Sequence, residues 1–164
     1  MSTALPPKPR HITQKTSIVI VASQYNEEFT TALLDNTLDE LKELTSGASV
    51  TVVRVPGAFE IPVTVEAILR EQTPTCVITL GLIIRGQTAH GDMVAQSVTQ
   101  SLQQIAVSHA IPVIHEVVLV DDEKQAYARC IGTKINRGRE AARATASIIN
   151  AFEQLNRSIG RSSS

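Results

Sequence analysis

A three-layer α/β fold, with a four-stranded parallel sheet and helices on both faces, is predicted by three observations. Apolar runs alternate with helical periods along the middle of the chain. The core material is aliphatic: 43% of the 164 residues are hydrophobic, yet there are only two tyrosines, three phenylalanines and no tryptophan. Strands built from Val, Ile and Leu without polar alternation suit a sheet buried on both faces. Finally, each of four strand patterns is followed by a helical one, which supplies the crossovers that parallel pairing needs.

The elements follow in order. Ser17 to Ala22 (SIVIVA) is a buried strand, and Phe29, Leu33, Leu34, Leu38, Leu41 and Leu44 then recur at helical spacing. Val50 to Val55 forms the second strand and Val63 to Arg70 a shorter helix. Cys76 to Ile84 is the third strand, and Val94, Val98, Leu102 and Ile105 mark the third helix. Val113 to Val120 is the fourth strand. A short helical stretch, Asp122 to Ala128, precedes a longer one with Ala141, Ala144, Ile148, Phe152 and Leu155 on one face. Right-handed crossovers restrict the topology, and the flavodoxin-like strand order 2-1-3-4 is favoured. Residues 17–157 make one domain. The Pro-rich stretch 1–16 and the Ser- and Arg-rich stretch 158–164 are expected to be flexible tails.

Composition excludes several classes. A net charge of -1 gives no broad attraction to nucleic acid or anionic membrane, and so few aromatic residues cannot form a base-stacking platform. No apolar run approaches the roughly 18 residues of a membrane span, and Met1 to Thr16 lacks the apolar core of a secretory signal. Cys76 and Cys130 form neither a disulfide framework nor a C-x-x-C motif, so a cytoplasmic protein is expected. His11, His90, His109 and His115 show no metal-ligand spacing, and no metal is expected. The P-loop, the G-x-S-x-G elbow and a G-x-G-x-x-G after strand 1 are all absent.

In the favoured topology a ligand sits beyond the carboxyl ends of the strands, near the switch between strands 1 and 3. Four loops therefore carry the candidate chemistry. In Ser23 to Glu27, Tyr25 offers a flat face and Asn26 a two-sided hydrogen-bonding group, or else a helix cap. In Pro56 to Glu60, Phe59 serves either a ligand or the core, and Glu60 either accepts from a polyol or favours the next helix start. Gly81 to His90 ends a hydrophobic strand in a Gly-flanked turn. Its Gln87 and Thr88 precede a helix whose N–H groups make a phosphate seat, with His90 in reach for proton transfer at neutral pH. Arg85 touches the anion or makes a structural ion pair. The fourth loop is His115 to Asp121, with His115 and Glu116 in or just after strand 4. Arg129 is suited to bidentate phosphate contacts but is also one of 15 basic residues. Lys134, Arg137 and Arg139 read as surface or subunit contact.

The motif Val55-Pro56-Gly57-Ala58-Phe59-Glu60-Ile61-Pro62 and the I-R-G-x-T-x-H pattern of Ile84 to His90 resemble those of the 6,7-dimethyl-8-ribityllumazine synthase family. The resemblance covers about Ser17 to Leu155. It implies a riboflavin-biosynthesis transferase that condenses 5-amino-6-(D-ribitylamino)uracil with 3,4-dihydroxy-2-butanone 4-phosphate and needs no cofactor. It implies that Tyr25, Asn26, Ala58, Phe59, Glu60, Leu82, Ile83, Ile84 and His115 hold the ribitylaminouracil. Gln87, Thr88 and Arg129 would hold the butanone phosphate, with His90 as proton donor. It further implies a homopentamer, or a shell of pentamers, with sites between subunits and with riboflavin synthase as a further partner. Departures are Tyr25 where Phe or Trp is usual, His115 where Phe or Asn is common, and Gly91-Asp92-Met93 where aromatic and acidic residues follow the histidine. Ala128 to Gly138 also departs, its Gly-Thr pair displaced by one. A non-catalytic or weakly active, flavin-like ligand-binding or shell-forming homologue is the alternative.

Overall fold

A computed structural model describes residues 4–160. The elements run β1 (Thr16–Ser23), α1 (Glu27–Leu44), β2 (Ala48–Val55), a one-turn 3-10 helix (Ala58–Glu60), α2 (Ile61–Glu71), β3 (Cys76–Ile84), α3 (His90–His109), β4 (Val113–Val120), α4 (Glu123–Cys130) and α5 (Arg137–Ser158). All strand pairs are parallel and the sheet order is β2-β1-β3-β4. The expected topology is therefore present. β3 and β4 have the bounds read from the sequence, whereas β2 starts two residues before the expected Val50.

Side-chain alternation along the strands assigns the two faces. Ile18, Ile20, Ile78 and Leu80 pack under α1 and α5, against Leu34, Leu41, Ala142 and Ile149. Val19, Val21 and Val77 point the other way, against Val65 and Leu69 of α2 and Val98 and Leu102 of α3. Each such burial contributes roughly 1.5–3 kcal/mol before conformational entropy is charged against it.

Small residues let α5 approach α1 closely. Gly138, Ala141, Ala142, Thr145 and Ala146 are all buried. A Cβ on Gly138 would lie 2.5 Å from the Leu33 carbonyl oxygen. The Thr37 hydroxyl sits 2.7 Å from Leu33 O and 3.1 Å from Gly138 O, and Arg143 of α5 donates to Glu40 of α1 at 2.7 Å. Helix starts are capped by side chains. Asp122 Oδ1 accepts from Gln125 N at 2.8 Å and Asn136 Oδ1 from Arg139 N at 3.0 Å.

The stretch before β1, expected as a flexible tail, is anchored along its described length. Ile12 is fully buried and bridges to Thr45. Asn150 donates to Arg10 O at 2.9 Å, Arg143 to Pro6 O, and Lys8 pairs with Glu43. The proline-rich composition hides this because one apolar side chain, Ile12, does the docking. The expected C-terminal tail begins in the last turn of α5. Residues 1–3 and 161–164 lie outside the described residues.

Among the described residues no helix is long and apolar enough to cross a membrane. Cys76 and Cys130 are free, and burial pushes both thiols up to about 12, which leaves them protonated and inert as nucleophiles.

Glu116 is 5% exposed on the edge strand β4, where Arg137 donates to it at 2.8 Å. Burial pushes its carboxyl from 4.5 up to about 7; Arg137 works against the rise and Glu140 adds to it. A carboxyl raised on folding favours the folded state when protonated. Its contribution is complete below the unfolded value near 4.5 and is lost as pH climbs through about 7. Urea titrations from pH 4.5 to 7 should show a decline on the order of 2 kcal/mol from this group, and Glu116→Gln should flatten it. A profile unchanged by the substitution would contradict the assignment.

Candidate active site

Three of the four predicted loops meet at the carboxyl edge of the sheet and enclose a cavity of about 340 Å3 at the switch between β1 and β3, and the fourth, His115 to Asp121, contributes nothing to its lining. The cavity is lined by Tyr25, Asn26, Ala58, Phe59, Glu60, Leu82, Ile83, Ile84, Thr88 and His90, all singled out in the sequence. Gly57, Gly86, Gly91 and Val94 complete the lining. Sequence reasoning missed these four. Helical spacing could have found Val94, one turn beyond His90.

The first loop is held by the ends of β2 and β3. Gln24 N donates to Val55 O at 2.8 Å and Tyr25 N to Pro56 O at 2.9 Å. Asn26 takes a left-handed conformation, φ 60, and makes no side-chain cap. Its amide instead donates to Leu82 O at 3.1 Å, tying this loop to β3. The cap reading of Asn26 is thereby replaced by a bridging one. Left-handed backbone costs a non-glycine residue free energy, which the tether offsets.

Tyr25 is 73% exposed and Phe59 62% exposed, so neither is used up by the core. Both line the cavity with Leu82, Ile83 and Ile84, which gives apolar surface for one planar ring. Glu60 Oε2 accepts the Gly57 N–H at 2.9 Å, fixing the carboxylate in the turn. Helix support and ligand acceptance are compatible here, because the bond uses one of the two carboxylate oxygens.

On the opposite wall, α3 begins at His90, and its first i→i−4 bond is Met93 N to Ala89 O at 3.0 Å. The N–H groups of His90, Gly91 and Asp92 therefore precede the ladder, beside the exposed Thr88 hydroxyl, an arrangement that suits an anion. Arg85 is not part of that seat. Its Nε donates to Asp92 at 3.0 Å and its Nη1 pairs with Asp121, which in turn accepts from Gln125 at 2.9 Å. These two carboxylates hold the guanidinium charged, and Arg85 clamps the β3–α3 loop to the β4–α4 loop.

Three candidates do not line the cavity within one copy. Gln87 is exposed in the same loop but does not line it. His115 lies inside β4, opposite Thr79 of β3, rather than in a loop at the strand end. Arg129 is in the last turn of α4, its Nη1 reaching Gln125 O at 3.4 Å. Of the basic stretch, Arg137 is engaged by Glu116 and Glu140.

A larger hollow, about 790 Å3, lies along β4 between α3 and α5. Its walls include Val107, Ile111, Val113, Ile114, Ile148 and Phe152 and carry no titratable group. It lacks the chemistry of the smaller cavity, which is the candidate site.

The sequence profile of the 6,7-dimethyl-8-ribityllumazine synthase family matches residues 15–153. A 6,7-dimethyl-8-ribityllumazine synthase of Pyrococcus furiosus is 38% identical over 138 residues, covering 84% of this chain and 86% of the relative. Proteins of the same name from Thermococcus kodakarensis and Coxiella burnetii are 36% and 35% identical, over 84% of this chain and 87% and 92% of their own lengths. With the same motifs standing around one cavity at the sheet's switch point, the chain belongs to the 6,7-dimethyl-8-ribityllumazine synthase family.

Proposed function

We propose that the protein condenses 5-amino-6-(D-ribitylamino)uracil with 3,4-dihydroxy-2-butanone 4-phosphate to 6,7-dimethyl-8-ribityllumazine, releasing phosphate and two waters. The observation that carries this reading is the cavity, which faces a ring-sized apolar surface at Tyr25 and Phe59 toward Thr88, His90 and the open start of α3. The pyrimidine lies against Tyr25, with Leu82, Ile83 and Ile84 beneath it. The ribityl hydroxyls donate to the unused oxygen of Glu60. Asn26 and Ala58 border the ring.

The four-carbon phosphate takes the Thr88 and Gln87 side of the cavity, at the N-terminus of α3. The amine attacks the ketone to give an imine, phosphate leaves, and ring closure forms the lumazine. His90 moves protons in these steps, and holding the two substrates together supplies much of the acceleration.

His115 and Arg129 reach the site from a neighbouring copy, as the family resemblance implies, so that assembly completes the site. The apolar hollow beside β4 supports this, since a second copy covering it removes that surface from water. A pentamer, alone or within a shell, is the proposed assembly, and light scattering measures it.

Mixing purified protein with both substrates and following lumazine formation tests the proposal; no product above the uncatalysed rate refutes it. His90→Ala should lower kcat about tenfold, below the roughly 10²–10⁴ usual for proton-transfer groups because water can substitute, while KM for the uracil changes little. An unchanged kcat in His90→Ala would remove His90 from the chemistry.

A further inference from the structure

We propose that Arg85 keeps the anion seat at the start of α3 open to phosphate, by holding away an acidic side chain of that helix, Asp92, which would otherwise cap it. The inference rests on the reading above, in which the phosphate of the four-carbon substrate binds at that helix start.

Asp92 is the acidic residue in the first turn of α3, third from its beginning. From that position a carboxylate ordinarily turns back to the N–H groups that precede the helical ladder. Glu60 does so in this protein, accepting the N–H of Gly57 three residues before it. Folded back in the same way, Asp92 would take donors that the phosphate needs and set a negative charge beside it.

A different arrangement is present. Asp92 Oδ1 accepts from Arg85 Nε at 3.0 Å, and among the described residues no side-chain bond caps the helix at Ala89. Asp92 does not line the cavity, although His90, Gly91 and Val94 of the same helix do. Arg85 is itself anchored beyond Asp92. Its backbone N–H donates to Val120 O at 2.8 Å, and its Nη1 pairs with Asp121. Asp121 is held in turn by Gln125, which accepts from the Asp121 N–H at 3.3 Å and donates to Asp121 Oδ2 at 2.9 Å.

A guanidinium can span two carboxylates, where an ammonium is a single point of charge. Tied to Asp121, Arg85 draws the Asp92 carboxylate toward the β4–α4 loop and offsets its charge. Arg85 is in this sense a positioning residue: it touches no substrate and acts through Asp92.

Calorimetric titration of the assembled protein with inorganic phosphate reads the seat without turnover. Arg85→Ala should weaken phosphate binding about fivefold to tenfold. Asp92→Ala alone should tighten it by no more than about twofold, whereas the same change made in Arg85→Ala should tighten it about fivefold to tenfold and recover the loss. The same pattern should appear in KM for the phosphate substrate, with KM for the uracil constant. An Arg85 that attracted phosphate directly would leave the double variant weak, and one that only clamped the two loops would be mimicked by Asp92→Ala, which breaks the same bond. Either outcome overturns the inference, as does failure of the unaltered protein to bind phosphate. Arg85→Gln, which keeps the stem of the side chain, repeats the test where Arg85→Ala does not fold. Failure of the underlying functional reading shows up separately, as absence of lumazine formation by the unaltered protein.

Discussion

Arg129→Ala lowers kcat/KM for 3,4-dihydroxy-2-butanone 4-phosphate about a hundredfold or more, and leaves the affinity for the ribitylaminouracil nearly unchanged. A hundredfold corresponds to about 2.7 kcal/mol of transition-state stabilisation, the size expected when a guanidinium is withdrawn from an anion in a partly water-excluded site. The phosphate becomes more charged as it departs, so the loss falls on kcat as well as on KM. Arg129 stands on α4, whose start is capped by Asp122, and its Nη1 reaches Gln125 O at 3.4 Å. That is a long bond, one an incoming phosphate oxygen can displace. Arg129→Lys should restore part of the loss by charge without restoring the paired geometry. Steady-state kinetics with each substrate varied in turn separates these effects, and inhibition by inorganic phosphate gives an independent measure. Equal phosphate inhibition before and after the change would contradict the role.

Gly138→Ala destabilises the fold by about 4 kcal/mol, a large share of the roughly 5–15 kcal/mol that holds an ordinary domain together. The cause is steric rather than conformational. The added carbon would lie 2.5 Å from Leu33 O and 2.9 Å from Asn36 Cβ, and the first of these is backbone that cannot swing aside. Relief requires α5 to back away from α1, which weakens the packing of Ala141, Ala142 and Ile149 and the Arg143–Glu40 pair. Gly86→Ala is the matched control, because a Cβ there meets nothing within 4 Å. Denaturant midpoints of the two variants should differ widely. A loss below 1 kcal/mol for Gly138→Ala would show that the helices separate at little cost.

The sheet was legible because its strands are nearly uninterrupted aliphatic runs, and the helices because their apolar positions keep a period near 3.6. The cavity was legible for a topological reason: parallel strands place all their following loops at one edge, so short motifs far apart in sequence had to converge. What escaped notice depends on tertiary partners. His115 and Glu116 interrupt an apolar run, which leaves them in or just after the strand on sequence grounds. They are tolerated mid-strand because β4 is at the sheet edge, where Thr99 serves one face and Arg137 the other. Arg85 stayed ambiguous until Asp92 and Asp121 were seen on either side of it. Ile12 was unreadable because a single isoleucine among prolines and charges leaves no periodicity.

The three bonds that hold the first loop bear on how the site can vary. Gln24 N, Tyr25 N and the Asn26 amide are spent on Val55, Pro56 and Leu82, so the loop takes its shape from main-chain acceptors and not from the side chain at position 25. Tyr25 is mounted rather than packed. Its ring can be exchanged for another aromatic without disturbing the mounting, and the loop keeps its form in an empty site. The ligand thus meets a surface already ordered, and replacement of tyrosine by phenylalanine or tryptophan becomes a change of instrument on a fixed stand.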